Sequence, residues 1–271
     1  MHKHQADEGL ISDLATLRRQ LINRRAACGL IGAAALLVAC GESGSAESPT
    51  AAGCIAGPRE TEGPFPADGT NRLLNGGAAN VLALSGLARS DIRKSFGATE
   101  SLAEGVPLAL SLKIVNVAGC AALAGHAVYL WHCDRDGQYS LYDLPTENYL
   151  RGLGVTDVNG EVTFNTIFPG CYPGRYPHMH IEVFKSQTLA TTGRNSVLTS
   201  QLVMPPEACT MVYDRAPGYA RSVAFFQEIP HPIRDGLFAD NTIAQLGAMT
   251  QALVGDPRSG YRGHVTVGIR V

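Results

Sequence analysis

Charge is scarce and evenly mixed in this chain of 271 residues. Its 22 Lys and Arg face 24 Asp and Glu, charged residues make up 17% of the total, and no stretch is rich in Lys or Arg. A net charge of −2 gives nucleic acid no electrostatic hold. The apolar run 26–39 is free of charge, but its 14 residues fall short of a membrane-spanning helix. No internal repeat is present, and no CxxC or Cys/His pair has the spacing of a structural zinc site. These absences exclude solenoids, zinc ribbons and nucleic-acid modules. What is abundant is Gly (30) and Pro (15), which punctuate short strands better than long helices.

The amino-terminal residues read as targeting rather than fold. Arg24 and Arg25 precede the apolar run, which closes on Leu37-Val38-Ala39-Cys40. A positive flank, a short apolar core and a small-residue end make a signal peptide over 1–39. The last four residues resemble the lipobox of bacterial lipoproteins, which implies a lipid anchor at Cys40. The Arg pair hints at twin-arginine export. Residues 12–25 can form a helix with Leu14, Leu17 and Leu21 on one side, outside the mature fold. Residues 40–53, mostly Ser, Gly, Ala, Glu and Pro, are expected to be a tether, with the folded domain spanning 54–271. An exported chain permits disulfides among Cys54, Cys120, Cys133, Cys171 and Cys209, and their odd number leaves at least one out.

Within that domain, alternation predicts strands over 107–115, 127–133, 155–158, 162–167, 178–184, 200–204 and 264–271. Asn159-Gly160 is a hairpin signal. One short helix is predicted over 241–253, with Asp240 as its N-cap and Ile243, Leu246 and Met249 inward. Many short strands separated by turns predict an all-β fold, an antiparallel β-sandwich with long loops and at most short helices.

The chemistry concentrates in one stretch. Strand alternation puts His178, His180 and Glu182 on one face and Met179, Ile181 and Val183 on the other. Two imidazoles at successive positions on a face can share one ion, and Tyr172 and Tyr176 lie just upstream. Tyr139 and Tyr142 follow the earlier turn 134–137. A phenolate is a hard donor that favours Fe(III), so two phenolates and two imidazoles would make a ferric site. Spacing alone leaves Tyr142 and Tyr176 as alternative phenols and Glu182 as a solvated residue. His126, His132, His231 and His264 have no partner at ligand spacing. A cupin-type site would need a carboxylate where Phe184 and Lys185 stand.

Several motifs occur in order: Trp131-His132-Cys133-Asp134 with Gly137 and Tyr139, then Asn148-Tyr149-Leu150-Arg151-Gly152. Pro169-Gly170-Cys171-Tyr172 follows, with Arg175 and His178-Met179-His180. Over residues 61 to 201 the chain thereby resembles the intradiol ring-cleaving dioxygenases, in particular their exported, core-only branch. The resemblance implies a non-haem Fe(III) held by Tyr139, Tyr172, His178 and His180. Tyr172 would leave the metal when substrate binds and act as a base. It further implies that Arg175 steadies negative charge on the ring. Gln201 and Tyr149 would line the substrate, with Thr61, Gly63 and Pro64 at the pocket mouth. The expected reaction is cleavage of a catechol-type diol by O2 to a muconate-type diacid at the cell envelope.

Two features depart from the family. The Tyr172–His178 gap is shorter than in the cytosolic enzymes, and no helical dimerisation segment is expected after the tether. Whether the chain forms a homo-oligomer is left open. A noncatalytic envelope binding module on the same sandwich, or a different metal hydrolase, are the competing functions. Tyrosinate-to-iron colour and metal content separate them.

Overall fold

The computed structural model describes residues 54–73, 76–97 and 99–271. The signal peptide (1–39), the helix on 12–25, the anchor Cys40 and the tether (40–53) expected from the sequence lie outside them.

Alternation builds two four-stranded sheets. Leu108, Leu110, Leu112 and Ile114 line the inner face of β3 (Pro107–Asn116), and Val162 and Phe164 line that of β6 (Glu161–Ile167). With β9 (Ala252–Asp256) and β10 (Gly260–Ile269) these strands form one sheet, in the order β6-β3-β10-β9. The second sheet has the order β5-β4-β7-β8, from β4 (Ala127–Trp131), β5 (Arg151–Val155), β7 (His178–Phe184) and β8 (Leu198–Val203). The core between the sheets joins Met179, Ile181 and Val183 of β7 to the Leu and Ile side chains of β3 and the Val and Ile side chains of β10. Each such residue, fully buried, stabilises the fold by about 1.5–3 kcal/mol.

The fold is the expected all-β sandwich. One pair is parallel, β10 beside β3, with Val265 opposite Leu112 and Val267 opposite Ile114. The turn at Asn159-Gly160 forms, since Gly160 has φ +74° and Asp157 accepts from the Asn159 and Glu161 amides. It does not make a hairpin, however. β5 pairs with β4, whereas β6 pairs with β3, setting Phe164 against Leu110 and Val162 against Leu112. The chain therefore changes sheets there, because those apolar pairs belong to the other side of the core. β5 also begins four residues earlier than the predicted strand, at Arg151.

Helices are more numerous than predicted. α1 (Pro206–Arg215) and α2 (Ala220–Glu228) precede α3 (Ile243–Met249). α1 buries Ala208, Cys209, Val212 and Tyr213, a helical face of small and aromatic residues with no leucine to announce it. In α3 the cap is Thr242, not Asp240, through a capping box with Gln245. Met249 is buried and Leu246 packs partly buried against the core as expected, but Ile243 is 92% exposed.

On the far face of the second sheet lies a smaller apolar cluster. It holds Tyr129, Trp131, Tyr139, Tyr142 and Phe184, with Phe65 and Ala67 packed into it and Ala79 joining from a ribbon of β1 (Asp68–Arg72) and β2 (Ala78–Asn80). A disulfide joins Cys54 to Cys120 across 66 positions, while Cys133, Cys171 and Cys209 are free and buried. Cross-linking a loop of that length restricts the unfolded chain. Cys54→Ser/Cys120→Ser should cost about 4 kcal/mol in chemical denaturation, against the same chain left oxidised.

Candidate metal centre

The covered face of β7 carries His178, His180 and Glu182, all buried. Trp131 of β4 lies opposite His180, with its ring stacked on the imidazole at 5.0 Å and 10°, and Tyr129 stacks behind it at 4.8 Å. This stack sets the plane of His180. His178 is oriented differently: its Nδ1 lies 2.5 Å from the Tyr176 carbonyl oxygen. A carbonyl only accepts, so Nδ1 holds the proton and Nε2 presents a lone pair.

Two turns bring the phenols to these nitrogens. In the first, Asp134 accepts from the Asp136 and Gln138 amides, and the turn leads to Tyr139, whose amide donates to Asp143. The second turn carries Tyr172. Glycines let the turns meet: a Cβ on Gly137 (φ +77°) would stand 2.6 Å from the Cys171 carbonyl oxygen. One on Gly170 would stand 2.6 Å from those of Asp134 and Arg135.

Four donor atoms converge as a result. The Tyr139 and Tyr172 hydroxyls are 3.5 Å apart, Tyr172 lies 3.1 Å from His178 Nε2, and the two Nε2 atoms are 3.1 Å apart. The other phenols are engaged elsewhere. Tyr142 donates to Asn71 and accepts from the Ala67 amide, while Tyr176 donates to the Met204 carbonyl.

Electrostatics tests whether a cation fits. Burial, then the Arg175 charge and the neighbouring His180, hold His178 well below its ordinary pKa. Burial and the charges of Arg175 and Arg151 do the same to His180. Both imidazoles are therefore neutral donors. Burial and the neighbouring Tyr172 push the Tyr139 phenol well up, so a phenolate there needs a strong cation beside it. Among the described residues, no three His, Cys, Asp or Glu side chains gather to hold an ion. A metal at this place would depend on the phenols, and two phenol oxygens with two imidazole nitrogens suit a hard, highly charged ion. Glu182 is not solvated: burial and Asp68 raise its carboxyl to about 9, leaving it neutral.

Around the cluster, buried Arg175 donates through Nη2 to Gln201 at 2.6 Å, and Gln201 donates to the Thr61 carbonyl at 2.8 Å. The Thr61 hydroxyl accepts from the Gly63 amide, and the Pro64 carbonyl accepts from Asn71. Residues 61–64 thus adjoin the centre through Gln201. Tyr149 does not join them. Its hydroxyl donates to Asp134 at 3.3 Å and its ring packs with Leu150 and Ile167, so it props the Tyr139 turn instead of facing the cluster.

The model of the family described as Dioxygenase (Dioxygenase_C) matches residues 86–193, a stretch that contains Tyr139, Tyr172, His178 and His180. An intradiol ring-cleavage dioxygenase from Tetranychus urticae superposes with a TM-score of 0.56 at 23% identity, over 80% of this chain and 95% of its own. The chain has the fold of the intradiol ring-cleavage dioxygenases. A second dioxygenase structure reaches a TM-score of 0.57 at 22% identity, with 80% and 95% covered. Catechol 1,2-dioxygenase from Pseudomonas arvilla C-1 aligns over 98% of this chain and 70% of its own, at 18% identity and a TM-score of 0.48. No curated protein sequence matches.

Four residues around the four-donor cluster escaped the sequence reading. Phe65 packs on Tyr139 at 4.9 Å, and Phe238 lies edge-on to His178 at 6.1 Å. Arg151, read only as part of a motif, is fully buried and donates to the Phe65, Pro66 and Ser140 carbonyls. Asp235 binds Arg175 at 2.9 Å. Phe65 had a signal, because it sits in the Pro-rich segment next to Thr61. Phe238 and Asp235 had none, since only folding brings that loop to β7.

Proposed function

We propose that this chain is a non-haem Fe(III) intradiol dioxygenase that cleaves a catechol-type diol with O2 to a muconate-type diacid. The observation that carries the reading is the convergence of the Tyr139 and Tyr172 hydroxyls with the Nε2 atoms of His178 and His180. These four side chains would hold the metal, which when bound would supply Lewis acidity toward the diol and draw electron density from its ring.

The chain's own groups do the rest. Tyr172, only partly buried, takes a diol proton as substrate enters. Arg175 places a fixed positive charge beside the centre, against the charge that develops on the ring. Gln201 holds Arg175 toward the Thr61 segment, and Phe65 and Phe238 wall the site against water. The expected site of action is the cell envelope, through an anchor at Cys40; this rests on the charge-free run 26–39 and the Leu37-Val38-Ala39-Cys40 ending.

The test uses purified, iron-loaded protein. It should show a visible tyrosinate-to-iron band that bleaches and shifts when a diol is added anaerobically. An oxygen electrode should then register one O2 consumed per diol, across a panel of catechol, hydroxyquinol, protocatechuate and larger plant-derived diols. Colourless protein with no uptake on any member would reject the reading and favour a noncatalytic binding module.

A further inference from the structure

An acid that is 1% exposed needs partners, and Asp235 has three. It follows the 3₁₀ turn Pro232–Arg234, in the excursion between β8 and β9. Its Oδ2 accepts from Arg175 Nε at 2.9 Å and from the Tyr176 amide at 2.8 Å, while Oδ1 accepts from the Leu237 amide at 2.9 Å. Arg175 is also held by Gln201, and its guanidinium lies 5.5 Å over the Phe238 ring.

The second contact of Oδ2 gives Asp235 more than an ion-pair role. The Tyr176 peptide that donates to Asp235 is the residue whose carbonyl accepts from His178 Nδ1. One carboxylate oxygen therefore fixes the guanidinium on one side and, through a single residue, the proton of His178 on the other. An ordinary ion pair would fix only the first.

We propose that Asp235 is the positioning residue of the centre, holding His178 in the Nδ1–H tautomer and aiming the charge of Arg175. The proposal rests on His178 being a metal ligand. Partners one step behind a ligating histidine set its tautomer and basicity, and their loss costs roughly 10- to 100-fold in affinity or activity. Asp235→Asn keeps the shape and removes the charge. Asp235→Glu keeps the charge on a longer arm.

Two readouts on the full chain decide. In metal-free protein, nitrogen-15 NMR of His178 should show the Nδ1–H tautomer in the parent, a mixture in Asp235→Asn and a return toward the parent in Asp235→Glu. In iron-loaded protein, kcat should fall roughly 10- to 100-fold in Asp235→Asn with KM nearly unchanged, and recover in Asp235→Glu. A parent-like tautomer and kcat in Asp235→Asn, with only the melting temperature lowered, would overturn the proposal. Should Asp235→Asn not fold, the parent still decides: an Nε2–H tautomer of His178, or a Tyr176 amide that exchanges freely, would overturn it. The metal-free arm keeps this outcome distinct from a failed function, which would appear as a parent that binds no ferric ion.

Discussion

Tyr172→Phe should bind ferric ion with an altered visible band and turn over a catechol about 10²- to 10⁴-fold more slowly, the usual range for loss of a positioned acid–base group. Its phenol sits between the Tyr139 hydroxyl at 3.5 Å and His178 Nε2 at 3.1 Å. The ring stays, so its edge contacts with Tyr139 and His178 remain and the melting temperature should hardly move. Stopped-flow spectra and oxygen uptake read the outcome, and an unchanged band with unchanged turnover would remove Tyr172 from the centre. Tyr139→Phe sharpens the comparison. That phenol is wholly buried, so its loss should change the colour of the resting protein more than it changes proton transfer.

Arg151→Met should destabilise the domain by about 3–5 kcal/mol. Arg151 is 1% exposed and donates to the carbonyls of Phe65, Pro66 and Ser140, to the Ser140 hydroxyl and to the Tyr129 hydroxyl. Removing it strands several buried acceptors, each costing about 1–3 kcal/mol if water does not reach it. The loss should also be local. Phe65 packs on Tyr139, so the segment around Phe65 and Pro66 should loosen before the sandwich melts. Hydrogen exchange should show residues 65–67 opening while β3 and β10 stay protected, and equilibrium unfolding should give the total cost. A loss under about 1 kcal/mol would mean that water satisfies those carbonyls.

The two predictions separate what the chain advertises from what it conceals. The His178/His180 face of β7 was legible, because a period of two fixes sides once a strand is granted. So was the apolar face of Met179, Ile181 and Val183, which entered the main core. The pairing of strands was less legible. Asn159-Gly160 announced a turn, and a turn formed, but local chemistry does not say which sheet receives the next strand. The helices of the excursion are hard to read because the buried face of α1, Ala208, Cys209, Val212 and Tyr213, holds mostly small or polar-tipped residues and no leucine. The choice among phenols was left open by spacing, since Tyr139 and Tyr142, like Tyr172 and Tyr176, are only three or four residues apart. Their hydroxyls end on different partners only because the Gly137 and Gly170 turns interlock.

The sequence by itself determined a β-rich fold and the two imidazoles on one strand face, along with the motifs that resemble the dioxygenases. Those properties follow from neighbours a few residues apart, where backbone period and turn chemistry act. Only the tertiary structure decided which phenols meet the imidazoles, that Tyr149 props a turn instead of facing the centre, and that Asp235 reaches Arg175 from 60 positions away. Contacts of that span form when two sheets close on one core, and no local preference encodes them.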